Sequence, residues 1–204
     1  MRKGGRLTEA EWAKELADVG LVGEQGERVG VYLEMLADFN RVLNLTGSSE
    51  KEGALVQLVV ESLAAAPWLD GRRRVLDVGS GNGIPIVPLL VCLPGLDGTL
   101  LEPRERRWAF LREVVRALDL RAEVRRERLD RHSGSGYDAV TVRGVSGGLW
   151  RGEVGRVVGE MGVVLWWCGP GGAEREFADG RGVVVSELPD RRRGNLVAWR
   201  PRST

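Results

Sequence analysis

The spacing of apolar positions changes near residue 71. Before it, apolar residues recur at helical intervals. Thr8 and Glu11 in TEAE form a capping box for a first helix, and Gly20 is its expected stop. From Glu24 to Leu43, Val31, Leu36, Phe39 and Leu43 fall at roughly helical spacing, and ALVQLVVESLAAA at 54–66 predicts a third helix ended by Pro67. After Gly71, short β-branched runs occupy 74–78, 98–102, 122–125, 138–142, 162–167, 183–187 and 195–199. Residues 104–118 between them read as a helix with Trp108, Leu111, Val115 and Leu118 on one apolar face. Strands alternating with helices predict an α/β chain with a mostly parallel sheet. Only PDRRRG separates the last two runs, too little for a helical crossover, so they are expected to close the sheet as an antiparallel hairpin. The expected division is a helical extension at 1–70 and an α/β domain at 71–204.

Charge adds an asymmetry that the net value of +1 conceals. Residues 1–70 carry 7 basic and 12 acidic side chains, whereas residues 71–204 carry 23 and 17. A basic second part permits a polyanionic partner without requiring one. Two cysteines far apart in sequence, Cys92 and Cys168, fit neither a disulfide framework nor a zinc site, and no metal is expected. The charged start MRKGGRLTEAEW has no apolar leader, and IPIVPLLVCLPGL at 84–96 is short and broken by prolines. The expected location is therefore cytoplasmic, with no membrane span.

The segment VLDVGSGNGIPIVPLL at 75–90 carries the clearest chemistry. Its glycine turn follows the first strand, where doubly wound sheets bind ligands. A phosphate-binding P-loop is excluded because no Gly-Lys-Ser/Thr follows. The dinucleotide fingerprint G-x-G-x-x-G also fails: Gly79, Gly81 and Gly83 are spaced G-x-G-x-G and position 84 is Ile. Asp77, two residues before the first glycine, repels a pyrophosphate and suits a ligand bearing an ammonium group. Glu102 ends the next strand, 19 residues after Gly83, where a carboxylate can accept the two hydroxyls of a ribose. An adenosine-bearing ammonium ligand satisfies both acids, and S-adenosylmethionine is the expected cofactor. The alternative is a structural glycine turn with a chance acid.

YLEMLADFNRVLNLTG (32–47), the glycine turn, LLEPRERRWAFLREVVRALDL (100–120) and YDAVTVRGV (137–145) together resemble the ribosomal RNA small-subunit methyltransferase G family. The resemblance spans about two-thirds of the chain. It implies a class I, Rossmann-like methyltransferase sheet with an N-terminal helical extension. It also implies methyl transfer from S-adenosylmethionine to nitrogen 7 of a guanine in small-subunit ribosomal RNA. The partner it implies is that RNA or the small ribosomal subunit, and the expected state is a monomer. By position, Asp77, Gly79, Ser80, Gly81, Gly83 and Glu102 match the cofactor-binding residues, and Arg128-Leu129-Asp130 an element beside the adenine. Arg143 matches an arginine near the transferred methyl, and Asn44 and Thr46 the NLT element of the same cleft.

The chain departs from the family pattern where Arg-His is usual, having Gln57-Leu58, and where Lys-Gly is common, having Cys168-Gly169. Loss of basic groups would weaken phosphate contacts. This leaves open a methyltransferase of another RNA or a small molecule, or a non-catalytic RNA-binding or assembly protein that keeps the cleft. Guanine nitrogen 7 needs no deprotonation, so alignment can supply most of the catalysis. Arg143 is expected to position the substrate, since a guanidinium can read the oxygen 6 edge of guanine; the alternative is a structural pair with Asp138 or Glu102. Arg106 and Arg107 are candidate RNA contacts, although helix-face solvation accounts for them equally well. The arginine runs at 72–74 and 191–193 read as loop charges, His132 in RHSGSG as an exposed loop residue, Trp166 and Trp167 as core, and Cys168 as an inert strand-end thiol.

Overall fold

The computed structural model describes residues 7–43, 52–172, 183–188 and 194–201. Helices α1 (Glu9–Asp18), α2 (Gly23–Leu43), α3 (Glu52–Leu63) and the short α4 (Ala66–Leu69) come first. Seven strands follow, β1 (Arg74–Val78), β2 (Asp97–Leu101), β3 (Ala122–Arg125), β4 (Tyr137–Arg143), β5 (Val158–Cys168), β6 (Val183–Glu187) and β7 (Asn195–Trp199). Between them run α5 (Ile86–Cys92), α6 (Glu105–Ala117) and α7 (Arg151–Val157). The strand order is β3-β2-β1-β4-β5-β7-β6. The first five strands are parallel, and β7 runs antiparallel to both β5 and β6. The α/β class and the closing hairpin expected from the sequence are both present.

Local signals explain most boundaries. Thr8 accepts the Glu11 amide while Glu11 accepts the Thr8 amide, so the capping box satisfies two donors that a helix start leaves free. Gly20 follows the end of α1 at φ 86°, a left-handed conformation that suits glycine. The third helix stops at Leu63, earlier than its apolar run, and Pro67 lies in the first turn of α4 rather than at the end of α3.

Alternation along the strands divides the interior in two. Val75, Leu100, Ala139, Val163, Leu165, Leu196 and Ala198 point to one face of the sheet, where they join α5, α6 and the buried sides of α1, α2 and α3 in one cluster. Leu76, Leu101, Val140, Val164, Trp166 and Val197 point to the other face, covered by Trp150, Val154 and Val157 around α7. Trp166 and Trp167 are therefore core, on opposite faces.

Two helix faces differ from expectation. On α2 the buried residues are Val29, Tyr32, Leu33 and Leu36, while Val31 is exposed. On α6 they are Phe110, Leu111 and Val114, with Trp108 and Val115 at the margin, where Trp108 Nε1 donates to the Val124 carbonyl at 3.2 Å. Sequence spacing alone left the phase of each helix ambiguous; packing on the sheet decides it.

Phe39 of α2 and Phe110 of α6 meet at a ring-centroid distance of 5.0 Å, so the helical extension and the sheet share one core. Phe110→Ala is expected to remove about 3–5 kcal/mol of stability. Chemical denaturation followed by far-UV circular dichroism should show one cooperative transition in both proteins.

Candidate functional site

Parallel register carries the chemistry to one edge. Asp77 lies level with Thr141 and Leu100, and Val78 with Val142 and Leu101. The next residues on β1, β2 and β4 are therefore Gly79, Glu102 and Arg143, side by side at the carboxyl ends of the strands.

The turn after β1 folds by backbone bonding: Ser80 N donates to Leu101 O at 2.9 Å, and Gly83 N to Ser80 O at 2.7 Å. A Cβ on Gly79, at φ 71°, would lie 2.6 Å from Val145 Cγ2, so the close approach of the loop after β4 requires glycine there. At Gly83, φ 97°, a Cβ would come within 2.7 Å of Val87 and 3.2 Å of the Tyr32 hydroxyl. That hydroxyl donates to the Asn82 carbonyl at 2.9 Å, tying α2 to the glycine turn.

Asp77 and Glu102 are both buried. Glu102 is fully engaged with the backbone: Oε2 accepts from Gly81 N at 2.9 Å and Oε1 from Arg104 N at 2.8 Å. Each oxygen retains a second lone pair for a hydroxyl donor. Asp77 is different. Its Oδ1 accepts from Thr141 Oγ1 at 2.5 Å, while Oδ2 is buried with no partner among the described residues. Burial, only partly opposed by the hydrogen bond from Thr141, pushes this carboxyl up to about 6. An unpartnered carboxylate oxygen at a ligand-binding sheet edge fits an ammonium donor.

A cavity of about 250 Å³ opens at the same sheet edge, lined by Val78 and Leu101, the chain neighbours of the two acids, but not by the acids themselves. Val78, Leu101, Leu129, Val145 and Leu149 give it apolar walls, and Arg128 stands at its margin. These walls suit a flat heteroaromatic ring. Of the expected adenine-side trio, Arg128 and Leu129 line this cavity, whereas Asp130 pairs with Arg128 at 3.5 Å and is not in the lining.

Arg143 ends β4, and its Nη2 bonds Glu61 Oε2 of α3 at 2.5 Å. Neither partner expected for a structural pair is used. Asp138 accepts the Arg73 and Arg74 amides, and Glu102 is held as above. Glu61 is 0% exposed, its carbonyl accepts from Trp167 Nε1 at 2.9 Å, and Trp167 is level with Arg143 in the sheet. Arg143 Nη1 is buried without a hydrogen-bond partner among the described residues.

Other expected residues fall as follows. Ser80 turns its hydroxyl back to the Asp77 carbonyl at 3.2 Å, inside the loop. Arg107 reaches over the turn, 3.6 Å from where a Gly81 Cβ would be, and Arg106 is exposed. Asn44, Thr46 and the 191–193 run lie outside the described residues. His132 is not an exposed loop residue: it is 2% exposed, with Nδ1 at 2.8 Å from Glu127 Oε1 and Nε2 at 2.9 Å from the Tyr137 hydroxyl. The 72–74 run is not idle charge either. Arg72 donates to the Trp68, Asp138 and Met161 carbonyls, Arg73 pairs with Asp97, and Arg74 lies over the Tyr137 ring.

Sequence reasoning missed Glu61, Tyr32 and Thr141. One signal pointed to the first, since Glu61 is the only charge in the apolar run 54–66. Tyr32 and Thr141 look like ordinary helix and strand residues, and only tertiary packing reveals them.

Comparison with known proteins shows the family. The family model described as rRNA small subunit methyltransferase G matches residues 25–149. The chain belongs to that family. A relative of that name from Photorhabdus laumondii is 36% identical over 114 residues, 56% of this chain and 55% of its own length. Another from Bacillus pumilus is 31% identical over 144 residues, covering 66% and 59%. The chain thus spans little more than half the length of the curated relatives it matches. A solved structure of the T. thermophilus 16S rRNA methyltransferase RsmC, with AdoMet and guanosine, shares the fold at TM-score 0.59 and 17% identity, covering 77% of this chain and 44% of that one. The methyltransferase G match includes most of α2, the glycine turn, Glu102 and Arg143, and ends before α7 and the last three strands.

The raised Asp77 carboxyl has a consequence for stability. Between about pH 4 and about 6 the folded protein holds a proton that the unfolded chain has lost, so this group's contribution falls as pH rises through that window. Asp97, Glu113 and Asp138 are shifted downward and act in the opposite sense, so the comparison is with Asp77→Asn. Relative to that variant, the native protein should lose on the order of 3 kcal/mol between pH 4 and pH 7. Urea titrations at several pH values would measure it, and parallel curves would contradict the burial argument.

Proposed function

We propose that this chain transfers a methyl group from S-adenosylmethionine to nitrogen 7 of a guanine in small-subunit ribosomal RNA. Membership of the methyltransferase G family supports the reaction class. The observation that carries the cofactor is the buried Oδ2 of Asp77, unpartnered among the described residues, at a sheet edge that also holds an apolar cavity lined by the next residues Val78 and Gly79. Asp77 holds the cofactor's ammonium group, Glu102 accepts ribose hydroxyls with its remaining lone pairs, and Leu129, Val145 and Arg128 flank the adenine. When bound, S-adenosylmethionine supplies a methyl group on a cationic sulfur: the guanine N7 lone pair forms the new N–C bond, the C–S electron pair stays on sulfur, and the positive charge passes to the base.

No proton leaves N7, so the protein's task is alignment and exclusion of water. Arg143 serves that task, with Nη1 directed to the oxygen 6 edge of the base. The departures at 57, 58 and 168 do not favour another substrate. Leu58 is 6% exposed and Cys168 is buried, so neither position faces a phosphate in this chain; Gln57 is half-buried.

The test is incubation with S-adenosylmethionine carrying a labelled methyl group and small-subunit RNA from cells lacking this gene, then mapping of the label. One guanine cleavable as 7-methylguanosine is expected; cofactor binding without label in that RNA would redirect the search for substrate. Arg143→Ala should lower transfer roughly a hundredfold while changing cofactor affinity far less. Gly81→Asp should abolish cofactor binding. Gly81 lies at φ 58°, where any side chain is strained, so Gly81→Ala, which shares that strain without the charge, is the control and should bind more tightly than Gly81→Asp.

A further inference from the structure

The geometry points to Glu61 as a positioning residue whose buried carboxylate aims Arg143 and cancels its charge, so that Arg143 donates to the nucleobase without opposing the cation that the reaction carries. This rests on the function proposed above but concerns charge at the site rather than the identity of the RNA.

The difficulty that Glu61 resolves is electrostatic. The positive charge starts on sulfur and ends on the base, and Arg143 is itself a permanent cation. A bare guanidinium near both positions would repel the bound cofactor and the methylated product alike, and low dielectric would enlarge the effect. The second acid at this edge, Asp77, is bonded to Thr141 across the sheet and assigned above to the cofactor's ammonium group. Glu102 spends its oxygens on backbone N–H groups. Among the described residues, Glu61 is the one acid placed directly on the guanidinium, at 2.5 Å from Nη2.

The surroundings fix the pair. Trp167 Nε1 holds the Glu61 backbone carbonyl at 2.9 Å, and Leu58 and Val59 on the same helix are in the core. With Nη2 engaged, Nη1 is left buried without a partner among the described residues. That is the condition of a donor awaiting an acceptor, because a buried unsatisfied donor is otherwise unfavourable. Tyr32 senses the same field: burial pushes its phenol upward, Asp77 adds to that shift and Arg143 opposes it. Tyr32 therefore lies within electrostatic reach of both Asp77 and Arg143. Helix α3 thereby contributes to the methyl-transfer site of the sheet, through a residue that touches neither substrate nor cofactor.

Relative affinity for S-adenosylmethionine and S-adenosylhomocysteine isolates this charge effect. The two ligands share every group except the methyl and its positive charge, so contacts common to both cancel in the ratio. Titration calorimetry on the native chain, Glu61→Gln, Arg143→Met and the double variant is the experiment. Glu61→Gln leaves an uncompensated cation and should shift the ratio roughly tenfold against S-adenosylmethionine. Arg143→Met leaves an uncompensated anion and should shift it in the opposite direction. The double variant should return to the native ratio, and it carries the test if a single variant fails to fold. Equal effects of Glu61→Gln on both ligands, or shifts of the same sign in the two single variants, would reduce Glu61 to a structural role and overturn the proposal. Failure of the native protein to bind either ligand would instead remove the cofactor assignment and this proposal with it. Neither readout needs RNA, so a wrong RNA substrate leaves the test intact.

Discussion

Four ionisable side chains, Asp77, Glu102, Glu61 and Arg143, are gathered at one end of the sheet and largely withdrawn from water. Burying charge is unfavourable unless each group finds a partner, and this requirement shapes what surrounds them. Glu102 is satisfied by the Gly81 and Arg104 amides, which anchors the glycine turn on β2 as well as on β1. Asp77 is half satisfied by Thr141 across the β1–β4 pair. Glu61 pairs with Arg143 through Nη2 and receives Trp167 Nε1 on its carbonyl, which draws α3 against the ends of β4 and β5. The glycine turn, the placement of α3 and the strand register are thus answers to one constraint.

The two cores make that edge rigid. The face formed by α1, α2, α3, α5 and α6 continues without a break from Trp12 to Ala198, so the N-terminal helices are packed on the sheet rather than appended to it. On the opposite face Trp150 contacts Trp166 and Trp199 at 5.8 and 5.6 Å between ring centroids. This stack braces β5 and β7 beneath the point where Trp167 reaches Glu61. A rigid support matters for a reaction that depends on alignment, because small displacements of a positioned group cost rate steeply.

Much of this was legible along the chain, and the limits were physical. All seven strands were visible because β-branched runs bounded by turn residues have few other uses, and the closing hairpin followed from the shortness of PDRRRG. Asp77 and Glu102 were legible because local spacing fixes their place at strand ends. The phases of α2 and α6 were not, since Val31 and Val115 satisfy a helical period as well as Tyr32 and Phe110 do. Glu61, Arg72 and His132 were missed or misjudged for a common reason. Their partners lie 82 residues away for Glu61 and up to 89 for Arg72, while His132 folds back on neighbours five residues to either side. A charge is read as solvent-facing by default, and only tertiary structure shows that it has been buried with a partner.

The departures from the family pattern take a further meaning from packing. Reading Gln57, Leu58 and Cys168 as lost phosphate contacts assumed that those positions faced RNA. Leu58 and Cys168 instead complete apolar packing on the two sides of the sheet, where a basic group would itself need a buried partner. A basic side chain at position 58 would enter the helix that already carries Glu61, in reach of the same low-dielectric edge, and would have to share or disturb the carboxylate that holds Arg143. In this chain an apolar Leu58 and an intact Glu61–Arg143 pair are mutually consistent. Leu58 and Cys168 thus have packing roles in this chain that a basic side chain could not fill without a new buried partner.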